Sequence, residues 1–457
     1  MAHPDQLIVH DVRCFQGQQR GHLRPITLLV GENSTGKTTF LGCYSVLHRA
    51  LSPWRDSSPD FNHKPFNMGS FRDIVRSRRG PAGRINEFRI GFRSSRPPAG
   101  FPPYDLIATF TEEGSQPTIS AYTYRFDDGS LLLAKSAPEG RTVLATEEDE
   151  VPLDVPWAVA PQLLSAPTEV SWLTERFPEA KPITDLLDRL AKSARTRSRP
   201  EPWSHFGVPL ASTAEVVPTA PLRAKPQRTY DPVTESATPE GEHIPMFMMR
   251  LNRTQLDRWK DLQRSLVDFG RESGLFSDIK IKRHGKQISD PFQLEIKVHS
   301  SSHHNITDVG YGVSQSLPIL VDLLSVERTA ESRQYPSISG ERTFMLQQPE
   351  VHLHPRGQAA LASLLVEFLA LSRKRRRRHR VLIETHSDYI LDRLRISVRK
   401  KRIKPGDVSI LYFEPDGNSV KIYNIGVDSH GNLKGEPSTY RDFFVRESDS
   451  FLGLDES

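Results

Sequence analysis

The stretch that decides the fold is residues 26–51, ITLLVGENSTGKTTFLGCYSVLHRAL. It opens with an apolar, partly β-branched run that predicts a strand, and it closes with apolar residues at helical spacing. Between these two runs, residues 31–38 match the pattern GxxxxGK[ST]. Because both flanks agree with a strand, loop and helix, the segment is predicted to be the phosphate-binding loop of an α/β protein.

The chemistry of this loop predicts ATP and Mg²⁺ as cofactors. Its glycines let the backbone wind so that successive N–H groups face the phosphates, and the following helix start adds positive dipole. Lys37 supplies a point charge, and Thr38 is placed to bind Mg²⁺. No NKxD-like segment stands where GTP recognition needs one. The predicted nucleotide-binding residues here are Gly31, Asn33, Ser34, Thr35, Gly36, Lys37, Thr38 and Thr39.

Three later segments follow one another at intervals of about thirty residues. They are DVGYGVSQSLPIL (308–320), FMLQQPEVHLHP (344–355) and VLIETHSDYIL (381–391). The first predicts a glycine turn followed by a helix from Gln315, and each of the other two contains an apolar strand. Their order resembles the signature, Walker B and switch-histidine segments of ABC-type ATPase heads. Each segment alone is a weak signal, and the three in this order are a strong one.

With these motifs the chain is similar to an OLD-like ABC/AAA ATPase of the RecF and SMC superfamily, from the branch found in bacterial antiphage systems such as Septu and PARIS. The resemblance spans most of the chain. It includes the segments MGSFRDIV (68–75), PTAPLRAKPQRTYDP (218–232) and GNLKGEPSTYRDFF (431–444). It implies a head-to-tail dimer, in which the signature of one subunit caps the γ-phosphate held by the other. The candidate capping residues are Gly310, Gly312, Ser314 and Gln315, and His386 is the candidate γ-phosphate sensor.

The chain departs from the ABC pattern at the end of the Walker B strand. The two carboxylates expected there are replaced by Gln347 and Gln348. An amide cannot accept a proton, and it binds Mg²⁺ less well than a charged oxygen does. Glu350 is the first candidate for the missing base, and Glu384 is the second.

Two uses of ATP follow from this departure. The site either hydrolyses ATP slowly or mainly binds it as glue between heads, and we favour slow hydrolysis. The predicted catalytic residues are Glu350, Gln348, His386 and Lys37, and the predicted metal-binding residues are Thr38 and Gln347. An alternative zinc site would use His352, His354 and the nearby Glu350, but the two histidines lack a third ligand at metalloenzyme spacing, so a place at the dimer seam is favoured.

The basic residues are concentrated although the net charge is only +5. RKRRRRHR (373–380) and DRLRISVRKKRIK (392–404) hold many of them, which leaves the rest of the chain net acidic. Such clusters attract nucleic acid phosphates, dock acidic proteins or form solvated faces. Two distant cysteines, Cys14 and Cys43, and an apolar stretch interrupted by Glu367 predict a cytoplasmic protein without a membrane segment.

The predicted fold class is α/β, an ABC-type head whose mixed sheet with flanking helices is joined by an antiparallel β lobe and a helical insertion. The lobe is expected from short strand-like runs at 86–134, and helices are expected at 183–195 and 254–273. The Pro-dotted stretch at 200–245 looks like a linker by composition, but the resemblance implies that it is ordered. The predicted domains are an N-terminal ATPase lobe (1–182), a helical insertion (183–275) and a C-terminal ATPase lobe (276–457).

The functional hypothesis is a homodimeric or higher-order ATPase that regulates a separate effector, such as an HNH or Toprim nuclease, in antiphage defence. The resemblance supplies this role. A RecF-like DNA-binding ATPase in DNA repair is the main alternative, with the two basic clusters as a phosphate track. A small-molecule kinase is a third candidate, which would need a lid and an acceptor site.

Overall fold

The computed structural model describes residues 4–51, 59–77, 85–97, 102–159, 176–195, 214–231, 237–285, 287, 290–298, 302–326, 341–440 and 450. Its helices are α1 (Lys37–Ala50), α2 (Phe71–Ile74), α3 (Lys181–Arg195), α4 (Ile244–Thr254), α5 (Leu256–Ser273), α6 (Tyr311–Ser325), α7 (Pro355–Lys374) and α8 (Asp388–Arg399). Short 3₁₀ turns lie at Trp157–Val159, Pro178–Ala180, Ile306–Asp308 and Pro405–Asp407.

The strands fall into three sheets. They are β1 (Gln6–His10), β2 (Gln18–His22), β3 (Ile26–Gly31), β4 (Glu87–Ser94), β5 (Tyr104–Glu113), β6 (Gln116–Phe126), β7 (Leu131–Ser136), β8 (Arg141–Ala145), β9 (Glu150–Pro156), β10 (Glu215–Thr219), β11 (Asp278–Arg283), β12 (Phe292–Lys297), β13 (His304–Asn305), β14 (Arg342–Gln347), β15 (Arg380–Glu384), β16 (Val408–Asp416), β17 (Ser419–Val427) and β18 (Leu433–Lys434).

The main sheet is mixed and has the order β10-β14-β15-β3-β16-β17-β18. The first five strands are parallel to one another, and β17 and β18 complete the sheet in antiparallel pairing. Strand β15 therefore lies between the phosphate-loop strand β3 and the Walker B strand β14. The carboxyl ends of these three strands meet at one edge of the sheet.

Eight strands form the predicted antiparallel lobe, in the order β2-β1-β4-β5-β6-β7-β8-β9. The lobe is larger than the sequence predicts. On one side β1 pairs with β4 and β2 pairs with β1, and on the other side β8 pairs with β7 and β9 pairs with β8. Strand β2 reads QQRGH and has no apolar alternation to reveal it. A third, three-stranded sheet has the order β11-β12-β13.

Two hydrophobic cores lie on the two faces of the main sheet. Successive residues of its strands alternate between them: Leu29 and Leu382 pack in the core shared with α1 and the antiparallel lobe, whereas Leu28 and Ile383 pack in the core shared with α4 to α8. This alternation is the two-residue period of a strand that is buried on both faces. The edge with the phosphate loop is thus supported from both sides.

Several predicted boundaries differ from the observed ones. Helix α6 begins at Tyr311 rather than at Gln315. In the Pro-dotted stretch, β10 is a parallel strand of the main sheet, so this part is not a linker. The remainder at 200–213 and 232–236, and residues 441–444 of the closing motif, lie outside the described residues. The division at 182 and 275 remains a prediction about domains, although all three segments contribute strands to one sheet.

Within the part of the chain that the structure describes, no helix has the length and apolar character needed to cross a membrane.

Candidate nucleotide site

The phosphate loop has the backbone conformation that its glycines predict. Gly31 has a φ of 141° and Gly36 a φ of 87°. A Cβ at Gly31 would come within 2.5 Å of the carbonyl oxygen of Phe413, and one at Gly36 within 2.5 Å of the Cys14 sulfur. Both positions therefore require glycine, for conformation and for space. Gly36 is also the N-cap residue of α1, which has no acidic residue in its first turn.

The polar residues of the loop are divided between its surface and its base. Asn33 and Ser34 are exposed, and Ser34 has a positive φ of 63°. Thr35 is buried, and its hydroxyl donates to the carbonyl oxygen of Glu32 at 2.8 Å. Thr39 is buried as well. The loop therefore has an exposed part, with Asn33 and Ser34, and a buried part in which Thr35 bonds to the loop backbone.

Lys37 is held inside the loop. Its side chain is only 3% exposed, and its Nζ donates to the carbonyl oxygens of Gly31 at 3.0 Å and Glu32 at 2.6 Å. Burial lowers the pKa of Lys37, and the neighbouring Glu384 and Glu32 carboxylates oppose that shift. The ammonium is positioned by loop carbonyls at the place where a phosphate would bind.

Glu384 lies at the end of β15, beside the phosphate loop. The hydroxyl of Thr38 donates to both of its carboxylate oxygens, at 3.0 Å to Oε1 and 2.8 Å to Oε2. The carboxylate is buried, and burial raises its pKa while Thr38 and Lys37 oppose the shift. This is the only carboxylate that bonds to Thr38 among the described residues.

Gln347 and Gln348 lie at the end of β14. Gln347 is the direct cross-strand neighbour of Glu384, is 3% exposed, and has an Nε2 atom with no hydrogen-bond partner among the described residues. Gln348 has a left-handed φ of 44°, and its N–H donates to the carbonyl oxygen of Glu384 at 2.8 Å. The turn after β14 is therefore fixed to the end of β15.

Glu350 and His386 are joined across this turn. The backbone N–H of His386 donates to Glu350 Oε1 at 2.7 Å, while Oε2 is buried without a hydrogen-bond partner in the described part of the chain. Burial raises the pKa of Glu350. His386 is exposed, and partial desolvation together with the Lys37 charge lowers its pKa. A carboxylate with a raised pKa and a free oxygen suits a general base.

Arg223 connects the Walker B turn to the signature helix, a role that the sequence did not reveal. Its Nη2 donates to the carbonyl oxygens of Gln347 and Gln348, both at 3.2 Å, and its backbone N–H donates to Gln315 Oε1 at 3.2 Å. The side chain is 5% exposed, and burial lowers the pKa of Arg223 to about 10. The one indication in the sequence was that Arg223 lies in the segment 218–232, which is part of the family resemblance.

Arg13 performs a similar bridging role on the other side of the loop. Its guanidinium donates to the hydroxyl of Thr39 at 3.2 Å and to the carbonyl oxygens of Met68 at 2.8 Å and Asp73 at 3.1 Å. The segment MGSFRDIV is thereby attached to the start of α1. Arg13 was also absent from the predicted site, because nothing in its local sequence marks it.

The signature residues form the first turn of α6. A Cβ at Gly312 would come within 2.7 Å of the carbonyl oxygen of His352, so this glycine permits close contact between the helix and the Walker B turn. The Ser314 hydroxyl donates to the Tyr311 carbonyl oxygen at 3.0 Å, and Gln315 bonds to Arg223. Ser314 and Gln315 are buried, whereas Gly310 and Tyr311 are exposed. The helix starts earlier than predicted because Gly312 serves packing rather than a turn.

The histidines of the HLH segment have structural contacts. His352 lies edge-on against the Tyr311 ring at 5.0 Å, and His354 caps α7 by accepting from the Arg356 N–H at 3.3 Å. Among the residues that the structure describes, no three His, Cys, Asp or Glu side chains are grouped as a metal site requires. The geometry therefore gives no support to the alternative zinc site.

Residues 237–391 match the model of the AAA ATPase domain. The match covers about a third of the chain and includes the signature, Walker B and switch-histidine segments but not the phosphate loop. The match supports an ATPase of ABC/AAA type, that is, a protein that binds and hydrolyses ATP, without indicating the rate. With the strand order of the main sheet, it confirms the predicted fold class, an ABC-type P-loop head.

Solved structures of SMC heads are similar to the chain at low identity. The SmcHead bound to the C-winged helix domain of ScpA is 9% identical, covers 93% of this chain and 98% of its own, and has a TM-score of 0.44. The Smc head with an extended coiled coil bound to the C-terminal domain of ScpA, derived from Pyrococcus furiosus, is 10% identical, with 100% of both chains covered and a TM-score of 0.42. The SMC head domain from Thermotoga maritima is 10% identical, with 92% and 98% covered and a TM-score of 0.35. No curated protein matches the chain in sequence.

Proposed function

We propose that this chain is an ATP- and Mg²⁺-dependent ATPase whose heads pair head to tail on ATP and regulate a separate effector, such as a nuclease, in bacterial antiphage defence. The observation that carries the ATPase part is the gathering of Lys37, Thr38, Glu384, Glu350 and His386 at the carboxyl edge of the parallel strands. This edge is where open α/β sheets bind their ligands.

Triphosphate binding is supported by the contacts of Lys37. Its two bonds to loop carbonyls, at 2.6 and 3.0 Å, can be exchanged for bonds to phosphate oxygens without moving the helix. The N-terminus of α1 adds the positive end of a 14-residue helix dipole. The loop is thus prepared for an anion of several charges.

Slow hydrolysis is supported by the position of Glu350. Its unpartnered Oε2 can accept the proton of an attacking water, whereas the amide of Gln348, in the usual place of the base, cannot. The charge of Lys37 contributes to the lowered pKa of His386, so the two side chains are near each other. The Lys37 ammonium and a neutral His386 N–H can each donate to the γ-phosphate. If hydrolysis continues without Glu350, Glu384 is the remaining candidate base; if the chain does not hydrolyse ATP, the nucleotide serves instead as glue between heads.

Pairing of heads is supported by the exposed start of α6. Gly310 and Tyr311 are open to solvent at the N-terminus of this helix, and Tyr311 is 43% exposed. A partner's γ-phosphate would meet this positive helix end. Because Ser314 is buried and bonds to its own helix, we expect the backbone around residues 310–312 to make the first contact and Ser314 to join after a rotamer change.

The regulatory role rests on the resemblance to OLD-like antiphage ATPases. We expect the protein to copurify, when isolated from its native operon, with the product of a neighbouring gene, such as an HNH or Toprim nuclease. Purification as a partnerless dimer from that operon would count heavily against this role while leaving the ATPase assignment intact.

The first experiment measures nucleotide binding by titration with a fluorescent ATP analogue. Lys37→Ala should abolish binding, because the loop then loses its one buried ammonium. Lys434→Ala removes an exposed lysine of β18 and is the matched control, which should bind as the unaltered chain does. Retained affinity in Lys37→Ala would refute the assignment of the loop.

The second experiment tests the split site by mixing two inactive variants. Lys37→Ala disables the loop, and Tyr311→Glu places a negative charge where a partner's γ-phosphate is expected. In a head-to-tail dimer, a mixed pair contains one intact site, so mixing should restore part of the hydrolysis. Full activity of Tyr311→Glu alone, or no recovery on mixing with both variants folded, would contradict head-to-tail pairing.

Nucleic acid binding is the second candidate function, and the positions of the two basic clusters favour it. Helices α7 and α8 both run back from the carboxyl edge, so their C-termini lie together at the opposite edge of the sheet. Asp407 links the two clusters there, because it forms an ion pair with Arg373 and accepts the backbone N–H of Lys404 at 2.7 Å. Exposed cations of this edge are Arg373, Lys374, Arg375, Arg376, Arg378, Arg399, Lys400, Lys401, Arg402 and Lys404.

A salt titration of duplex DNA binding tests this candidate. Replacing residues 375–378 with alanine should weaken binding and flatten its salt dependence, because fewer counterions are released. A control variant that replaces Lys260, Arg264, Lys282 and Arg283 removes four exposed cations from a different surface. Equal losses in both variants would indicate attraction by net charge alone rather than a phosphate track.

A further inference from the structure

We propose that Glu384 of β15 supplies the carboxylate of the magnesium site, in place of Gln347 of β14. The proposal rests on the nucleotide binding argued above and deepens it. It moves the acidic ligand of the site from the Walker B strand to the strand beside it.

The first support is the spacing of the oxygens. Thr38 Oγ1 lies 3.0 Å from Glu384 Oε1 and 2.8 Å from Oε2. Two adjacent ligands of an octahedral Mg²⁺ with bonds of about 2.0–2.1 Å lie about 2.9 Å apart. The hydroxyl and the carboxylate are therefore already at the separation that a shared ion requires. The hydrogen bond between them can give way to the ion without movement of either strand.

The second support is the charge of the site. Glu384 is 6% exposed, and in the described part of the chain it forms no ion pair with a Lys or Arg within 4 Å. A buried carboxylate without a directly bonded cation is costly, and a bound divalent ion would offset that cost. Its donors, one hydroxyl and one carboxylate, are the hard oxygen ligands that Mg²⁺ prefers. The residues present therefore fit the ion.

The third support is the relation of Glu384 to Gln347. The two residues are direct neighbours across the parallel pair β14 and β15. A carboxylate at either position would therefore lie at the same level along the strands, at the carboxyl edge. Gln347 offers only a neutral amide oxygen, which binds Mg²⁺ less well than a carboxylate does, and its buried Nε2 donor has no partner among the described residues. Of these two positions, only the one on β15 has an acidic side chain.

The test measures metal binding directly, with Mn²⁺ as a paramagnetic substitute for Mg²⁺ on the full-length chain. Mn²⁺ affinity in the presence of a non-hydrolysable ATP analogue is followed by electron paramagnetic resonance, and nucleotide affinity is measured separately in EDTA. Glu384→Gln should lower Mn²⁺ affinity by roughly 10–100-fold. Nucleotide affinity in EDTA should remain, since the loop and Lys37 are intact.

A double variant that moves the carboxylate from β15 to β14 sharpens the test. Gln347→Asp combined with Glu384→Gln returns the carboxylate to β14 and should recover part of the lost Mn²⁺ affinity, whereas Gln347→Leu with Glu384→Gln should not. Unchanged Mn²⁺ affinity in folded Glu384→Gln would overturn the proposal. Failure of the unaltered chain to bind nucleotide in EDTA and in Mn²⁺ alike would instead overturn the proposed function.

A fold check accompanies these variants. If Glu384→Gln does not fold, as judged by circular dichroism, Thr38→Val takes its place, because it removes the other ligand from an exposed position. It should lower Mn²⁺ affinity in the same way, and by a larger factor than it lowers nucleotide affinity in EDTA. Wild-type Mn²⁺ affinity in Thr38→Val would count against the site as described.

Discussion

Strands β14 and β15 lie side by side, run parallel and end at the same edge of the sheet, but their ends carry different chemistry. β14 ends at Gln347 and is followed by Gln348, and the Arg223 guanidinium donates to the backbone carbonyl oxygens of both residues. β15 ends in Glu384, which bonds directly to Thr38 of the phosphate loop. The difference teaches that an acidic residue absent from one strand can be supplied by its neighbour, because a parallel register brings both positions into one row.

Glu350→Gln should have the largest effect of the variants that distinguish the roles of the two strand ends. The substitution removes the candidate base after β14 and leaves the β15 carboxylate untouched. We expect ATP hydrolysis to fall by roughly 10²–10⁴-fold, with nucleotide and Mn²⁺ affinity retained. Glu179→Gln, an exposed position, serves as the control in a phosphate-release assay. Hydrolysis at the rate of the unaltered chain would show that Glu350 is not the base.

Arg223→Met should loosen the end of β14 without touching that of β15. The backbone carbonyl oxygens of Gln347 and Gln348 each lose a donor, at a cost on the order of 2–4 kcal/mol. Thermal unfolding should show a lower Tm. Arg228→Met removes an exposed arginine paired with Asp308 and should change Tm little. Equal shifts would mean that the buried bridge contributes no more than a surface ion pair.

The pH dependence of hydrolysis sharpens the assignment of the base. Burial raises the pKa of Glu350 above its ordinary value of 4.5, so it becomes protonated at a higher pH than an exposed glutamate does. A protonated carboxyl cannot accept a proton from water. The rate at saturating Mg²⁺ and ATP should therefore be steady at high pH and fall as pH decreases through that raised pKa. A midpoint at or below 4.5 would contradict this role.

Gln347→Leu should have the smallest effect. If β15 supplies the metal ligand, removing the β14 amide leaves Mn²⁺ affinity unchanged, and it also removes a buried donor that lacks a partner among the described residues. The electron paramagnetic resonance assay checks this outcome. A clear loss of Mn²⁺ affinity would restore Gln347 as a metal ligand, as the sequence first predicted.

The parts of the fold that the sequence predicts best are those encoded locally. The phosphate loop depends on glycines and a lysine within eight residues, and its strand and helix follow from apolar spacing on either side. The strands of the antiparallel lobe with alternating apolar residues were predicted as well. Strand β2, with the sequence QQRGH, was not, because it pairs by register with β1 rather than by its own pattern.

The parts that the sequence does not predict depend on contacts between distant residues. Thr38 and Glu384 bond although they are 346 residues apart in sequence, and only the strand order places them together. Arg223 donates to backbone carbonyl oxygens, which every residue has, so the sequence at Gln347 and Gln348 does not indicate the contact. The start of α6 was placed too late because Gly312 looks like a turn residue, whereas it serves the close approach of His352. Motif order predicted which segments form the candidate site, but not which of their side chains lie together there.

The shortness of β15 has a consequence for how the molecule responds to its surroundings. Its five residues, Arg380–Glu384, separate the carboxyl edge from the basic edge by about 13 Å. At physiological ionic strength, exposed charges lose most of their influence beyond about 8 Å. We therefore expect salt to screen the exposed cations of the basic edge, so that they have little influence on an anion bound at the phosphate loop.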